Sequence, residues 1–119
     1  MHQAFVHTAT LIMGADADLG APGAAVTVAL CGHWEHEPPC PLAAHHTRAT
    51  RVEGEVRLRI LFAAEPTAEQ TVRERIDAAL AAGELRGPDG SVTRWRWQSS
   101  QRDEVADAER AHGRRLVRG

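Results

Sequence analysis

The stretch VEGEVRLRILFAAEPTAEQTVRERIDAALAAG, residues 52–83, decides the fold class. Its first part alternates. Val56, Leu58, Ile60 and Phe62 fall on one side of an extended chain, and Arg57 and Arg59 on the other. A period of two with a charged opposite side predicts a half-buried strand over residues 52–62. At Glu65-Pro66-Thr67 the period changes. Proline suits the first position of a helix, and Thr67 with Gln70 resembles a capping box, so the cap falls at Glu65 or Thr67. Val72, Ile76, Ala79 and Leu80 then form a helical stripe, which Gly83 ends. A strand with one apolar side, followed by a helix with one apolar stripe, points to an α+β domain whose helix packs on the sheet.

Upstream, FVHTATLIM (residues 5–13) is rich in β-branched side chains and reads as a strand. GADADLGAPG (14–23) reads as a loop. AVTVALCGHW (25–34) reads as a second strand, with Val26, Val28 and Leu30 on one side and Thr27, Ala29, Cys31 and His33 on the other. Pro38-Pro39-Cys40-Pro41 suits neither a helix interior nor a central strand, so residues 35–50 are expected to leave the sheet as a stiff excursion. Downstream, Gly87-Pro88-Asp89-Gly90 is a turn and SVTRWRWQ (91–98) a last strand. The expectation is a βββαβ order: a small, mainly antiparallel four-stranded sheet with one helix on one face. Residues 1–100 form a single domain. Residues 101–119 are a polar tail, read either as a thin helix carrying Val105, Ala108, His112 and Leu116 or as the arm of a homodimer.

Composition narrows the function. Large apolar side chains are few, with two Phe, three Trp, two Met and no Tyr, so a metal crosslink or a dimer interface would help a small alanine-rich core. All 14 basic residues are arginine, yet the net charge is −2, which gives no global attraction to nucleic acid. The first residues lack a basic region before an apolar run, and no segment reaches membrane-spanning length. A cytoplasmic protein without a membrane partner is expected. In that compartment a pair of cysteines is more often metal-binding or free than disulfide-bonded.

The chemistry is concentrated in Cys31-Gly-His33-Trp-Glu-His36-Glu-Pro-Pro-Cys40-Pro-Leu-Ala-Ala-His45-His46, which holds both cysteines and four of the seven histidines. Thiolate and imidazole bind zinc, copper and iron at neutral pH. Cys31 and His33, two apart on the expected strand, would share a side, and the proline-stiffened excursion would return Cys40 with His45 or His46. Cys31, His33, Cys40 and His45 are therefore the expected first set of zinc ligands, with His46, His36 and His7 as substitutes. His7 enters because a hairpin register summing to 38 would place it opposite Cys31. The expected role is structural, in a binding or regulatory module. A metal-dependent hydrolase or redox enzyme at the same cluster is the rival, with Glu35 or Glu37 as general base on an open-coordinated metal. Copper ranks below zinc because Met13 lies too far from Cys31 to be an axial ligand. A Cys31–Cys40 disulfide, or no special chemistry, are the remaining alternatives. Arg57, Arg59, Arg94 and Arg96 suggest a further reading, an arginine-lined sheet face for an anion or single-stranded nucleic acid.

Overall fold

The structure, a computed structural model, describes residues 1–31 and 43–118, with Cys31 described by its backbone alone. The elements are β1 (Gln3–Ile12), α1 (Ala21–Cys31), β2 (Ala44–Val52), β3 (Glu55–Ala64), α2 (Glu69–Ala82), β4 (Glu84–Arg86), β5 (Val92–Arg94), β6 (Arg96–Asp103) and α3 (Arg110–Arg118). The class is α+β. One antiparallel sheet runs β2-β3-β1-β6, and β4 and β5 form a separate two-stranded ribbon. β1 and β2 both pair antiparallel with β3, so they run parallel to each other and need a crossover, which α1 supplies. β3 and β6 likewise flank β1, and the chain between them contains α2. The connectivity is a split βαβ used twice.

The strand and helix of the deciding stretch form as expected. Val56, Leu58, Ile60 and Phe62 of β3 are all buried, while Arg57 and Arg59 lie on the opposite face. A fully buried side chain of this size stabilises by roughly 1.5–3 kcal/mol, so β3 is the centre of the core. α2 buries Val72, Ile76 and Leu80 against it, after a single 3₁₀ turn at Pro66–Ala68. No side chain caps this turn at Glu65, and the expected Thr67–Gln70 box does not form there. Gly83 ends α2 with φ 73°, and a Cβ there would sit 2.8 Å from the Trp95 carbonyl oxygen, so only glycine fits.

The expected second strand is instead a helix. Residues 21–31 form α1, which buries Ala25, Val26 and Leu30 and packs against α2 and the sheet. Its run of β-branched residues favours a strand only weakly. Burial on several sides removes the one-sided pattern that marks a helix, so tertiary packing overrides propensity. Gly23 lets the helix approach β2, since a Cβ there would lie 2.6 Å from the Thr47 hydroxyl. Of the expected excursion, residues 44–50 belong to β2, an edge strand of the sheet, and residues 35–42 lie outside the described residues.

Two further differences follow from β1 being central. Its neighbours are β3 and β6, so His7 faces Ile60 and Arg102 across the ladders, and the hairpin register that opposed it to Cys31 does not occur. The last expected strand breaks at Trp95. That indole is buried and donates to the Leu80 carbonyl at 2.9 Å, whereas Trp97 is exposed and donates to Ser100. β6 then pairs with β1 through a bulge opposite Thr10 and Leu11. After β6 the chain crosses to the other face of the sheet, where α3 covers Ala4 at its buried Gly113. Helices α1 and α2 thus share one face, α3 covers part of the other, and among the described residues nothing covers the rest of that second face. Among the described residues no helix is long and apolar enough to cross a membrane.

Candidate functional site

The Cys/His segment leaves from α1 and returns into β2. Cys31 is the last residue of α1, and Ala44 opens β2. Of the expected ligands, His33 and Cys40 lie outside the described residues, as do His36, Glu35 and Glu37. His45 and His46 are described. They are neighbours on a strand, so they project to opposite faces and cannot bind one ion together.

His45 lies on the helix-covered face. Its Nε2 is 3.0 Å from the Thr27 hydroxyl of α1, one helical turn before Cys31, and its Nδ1 is 3.1 Å from the Ala43 carbonyl oxygen. A carbonyl oxygen only accepts, so Nδ1 carries a proton, and when the ring is neutral Nε2 carries the lone pair. The Thr27 hydroxyl is shared between that lone pair and the Gly23 carbonyl at 3.1 Å. An imidazole whose Nδ1–H is held by a backbone carbonyl has the orientation that metal-ligating histidines adopt when they bind through Nε2. His46 projects to the other face, where its ring lies 4.6 Å from that of His112 in α3. Burial, and the nearby His46 and Arg115 charges, push the His112 imidazole below its ordinary range. Among the described residues no group of three or more His, Cys, Asp or Glu side chains is placed to hold a metal ion.

His7 is committed elsewhere. Its Nδ1 lies 3.0 Å from the Arg73 guanidinium, which can only donate, so Nδ1 accepts and Nε2–H donates to Asp77 at 2.8 Å. Arg73 is itself buried. It donates to Glu69 at 2.7 Å and to the Val6 carbonyl at 2.8 Å, and lies over the Phe62 ring at 5.3 Å. The network satisfies the buried charge under α2 and uses both nitrogens of His7.

The arginine set is regrouped. Arg57 and Arg59 stand on the sheet face opposite α1 and α2, and the register puts Arg96, opposite Ile12, on that face as well. Arg94 belongs to the β4–β5 ribbon and pairs with Glu84 at 3.3 Å. In its place β2 contributes Arg48, directly opposite Arg59. Arg59 is braced on several sides: it donates to Glu109 at 2.8 and 2.7 Å, to Asp103 at 2.7 Å and to the Glu104 carbonyl at 2.9 Å. The guanidinium holds the Glu109 carboxyl down at about 2 and lowers that of Asp103. Beside this brace lies a hollow of about 640 Å³ lined by Thr8, Thr10, Arg48, Thr50, Arg57 and Gln101, among others. Arg48, Thr8, Thr10, Thr50 and Gln101 are absent from the sequence reading. The alternation of Arg48 and Thr50 in HTRAT was the available signal, hidden once residues 35–50 were read as an excursion.

No protein-family model matches the sequence, and no curated protein or solved structure matches it either.

Proposed function

We propose that this chain is a metal-binding module in which zinc joins the segment between α1 and β2 to the sheet. The observation that supports this best is the setting of His45: Nδ1 against the Ala43 carbonyl, Nε2 toward α1 one turn before Cys31, at the end of a segment carrying the remaining thiol and imidazoles. The ligand set is Cys31, His33, Cys40 and His45, a Cys2His2 donor set suited to tetrahedral zinc. His46 serves the opposite face and drops out of the set. Zinc would take the His45 lone pair from the Thr27 hydroxyl, which keeps the Gly23 carbonyl as its acceptor. A closed four-ligand shell has no position for water, so the metal's work is structural: it fixes a proline-rich surface for a binding or regulatory role. In a reducing cytoplasm both cysteines would stay reduced, and zinc would displace their thiol protons on binding.

The test is elemental analysis of untagged protein with a free-thiol count, followed by single variants. About one zinc per chain is expected. Cys31→Ser, Cys40→Ser and His45→Gln should each release it and lower the melting temperature, while His46→Gln should retain it. Protein that takes up no zinc after reduction and reconstitution, with both thiols free, refutes the proposal. Retention of zinc by His45→Gln refutes the ligand set.

A further inference from the structure

We infer that the open half of the sheet, on the face opposite α1 and α2, binds a small phosphorylated molecule. The ladder registers arrange this surface in rows. Arg48, Arg59, Thr8 and Gln101 stand side by side across all four strands, and Thr50, Arg57, Thr10 and Ser99 form the next row. Two full rows of polar side chains make this face unfit to be a further apolar layer.

The arginines in these rows differ in what they hold. Arg59 spends its guanidinium on Glu109, Asp103 and the Glu104 carbonyl and is a brace for the wall formed by the chain before α3. Arg48 stands directly opposite it, a like-charge pair that costs stability in a bare sheet. Among the described residues Arg48 makes no hydrogen bond or close ion pair, its charge reaching the Glu109 carboxylate only through space, and Arg57 has only half-buried Glu55 at 4.0 Å. Both are exposed and carry planar forks that match phosphate oxygens. Arg57 is flanked directly by Thr10 on one side and Thr50 on the other, so two hydroxyl donors bracket the fork. An oxyanion seated here would offset the Arg48–Arg59 repulsion and collect donors from three strands.

Size and lining select among anions. A hollow of about 640 Å³ falls in the range of small-molecule sites and exceeds what a lone phosphate fills. Among the described residues its lining contains no aromatic side chain on which a base could stack, which disfavours single-stranded nucleic acid. Asp103 on the rim and Glu55 at the far end would repel a long polyanion.

Pyrophosphate is the probe, titrated into isotope-labelled protein and followed through backbone amides and arginine Nε–H signals. Saturable shifts are expected at Thr8, Thr10, Thr50, Arg48 and Arg57, with Arg94 and Arg114 unmoved. The double variant Arg48→Gln/Arg57→Gln changes only exposed side chains. It should melt no lower than the parent protein and bind at least about tenfold more weakly. Shifts that do not saturate, that sodium chloride of equal ionic strength reproduces, or that persist unchanged in the double variant overturn the inference. Affinity for oligouridylate that exceeds that for pyrophosphate and grows with chain length overturns it in favour of nucleic acid. The same titration on the Cys31→Ser/Cys40→Ser protein separates this site from the zinc proposal, since a loss of metal should leave these shifts intact.

Discussion

Glu109→Gln tests how the chain after β6 is held to the sheet. The Glu109 carboxylate accepts two hydrogen bonds from Arg59, at 2.8 and 2.7 Å, and a third from the Ala106 backbone N–H at 2.9 Å. Its side chain is 17% exposed and that of Arg59 is 21% exposed. The variant keeps the shape but turns one acceptor into an NH2 group that faces a guanidinium. A carboxyl held at about 2 rather than 4.5 corresponds to at most ~3 kcal/mol of stability. Solvent in the neighbouring hollow screens the pair, so about 2 kcal/mol is the expected loss at pH 7. For a domain of this size that is a fall of roughly 8–10 °C in melting temperature. The pH dependence carries the same sign. The folded-state pKa lies below the unfolded one, so the unfolded chain binds more protons between them. The contribution is complete above pH 4.5 and is lost as pH falls toward 2. Urea melts of both proteins at pH 7 and at steps down to pH 3 should therefore show a gap that narrows with acidity. Hydrogen exchange should show the amides of α3 opening first in the variant. A gap under about 0.5 kcal/mol at pH 7, or one that is constant with pH, would refute the bracing role of this pair.

Other perturbations reach other joints of the fold. Gly23→Ala places a methyl group 2.6 Å from the Thr47 hydroxyl, where α1 meets β2; overpacking should cost about 1–3 kcal/mol, and unchanged thermal melting would show that the two elements do not approach so closely. Trp95→Phe removes the indole donor to the Leu80 carbonyl at the end of α2, which keeps the Gly83 N–H as its other donor, and should cost about 0.5–1.5 kcal/mol for the lost hydrogen bond, read by chemical denaturation. His112, whose pKa is lowered by burial and by His46, favours the neutral ring in the folded protein. Its contribution is intact above its ordinary pKa of 6.5 and erodes as pH falls below that value. His112→Gln should flatten the stability profile below pH 6.5, and an unaltered profile would count against the packing of α3 over His46.

What the sequence disclosed depended on whether an element has one apolar side. β3 and α2 each bury one side and leave charges on the other, so the periods of two and 3.6 are visible, and Gly83 marks an end that only glycine can make. α1 is apolar nearly all round, and its valines and threonine imitate a strand. Topology overrules them. β1 and β2 run parallel on either side of β3, and parallel strands require a crossover longer than a hairpin loop. That one misreading governs the candidate site. On a strand, Cys31 and His33 would share a side. Cys31 instead closes a helix, and the fixed point becomes His45, held between Ala43 and Thr27. Once residues 44–52 are seen to be a strand, the adjacent histidines must part: His45 goes with the thiols of the zinc proposal and His46 with α3. The same alternation carries Arg48 and Thr50 to the open face beside Arg57 and Arg59. A single edge strand would therefore serve the two proposed chemistries, one on each of its sides. The ligand-dense segment was legible as composition, but the partition of its residues between the faces is a property of the strand that follows it.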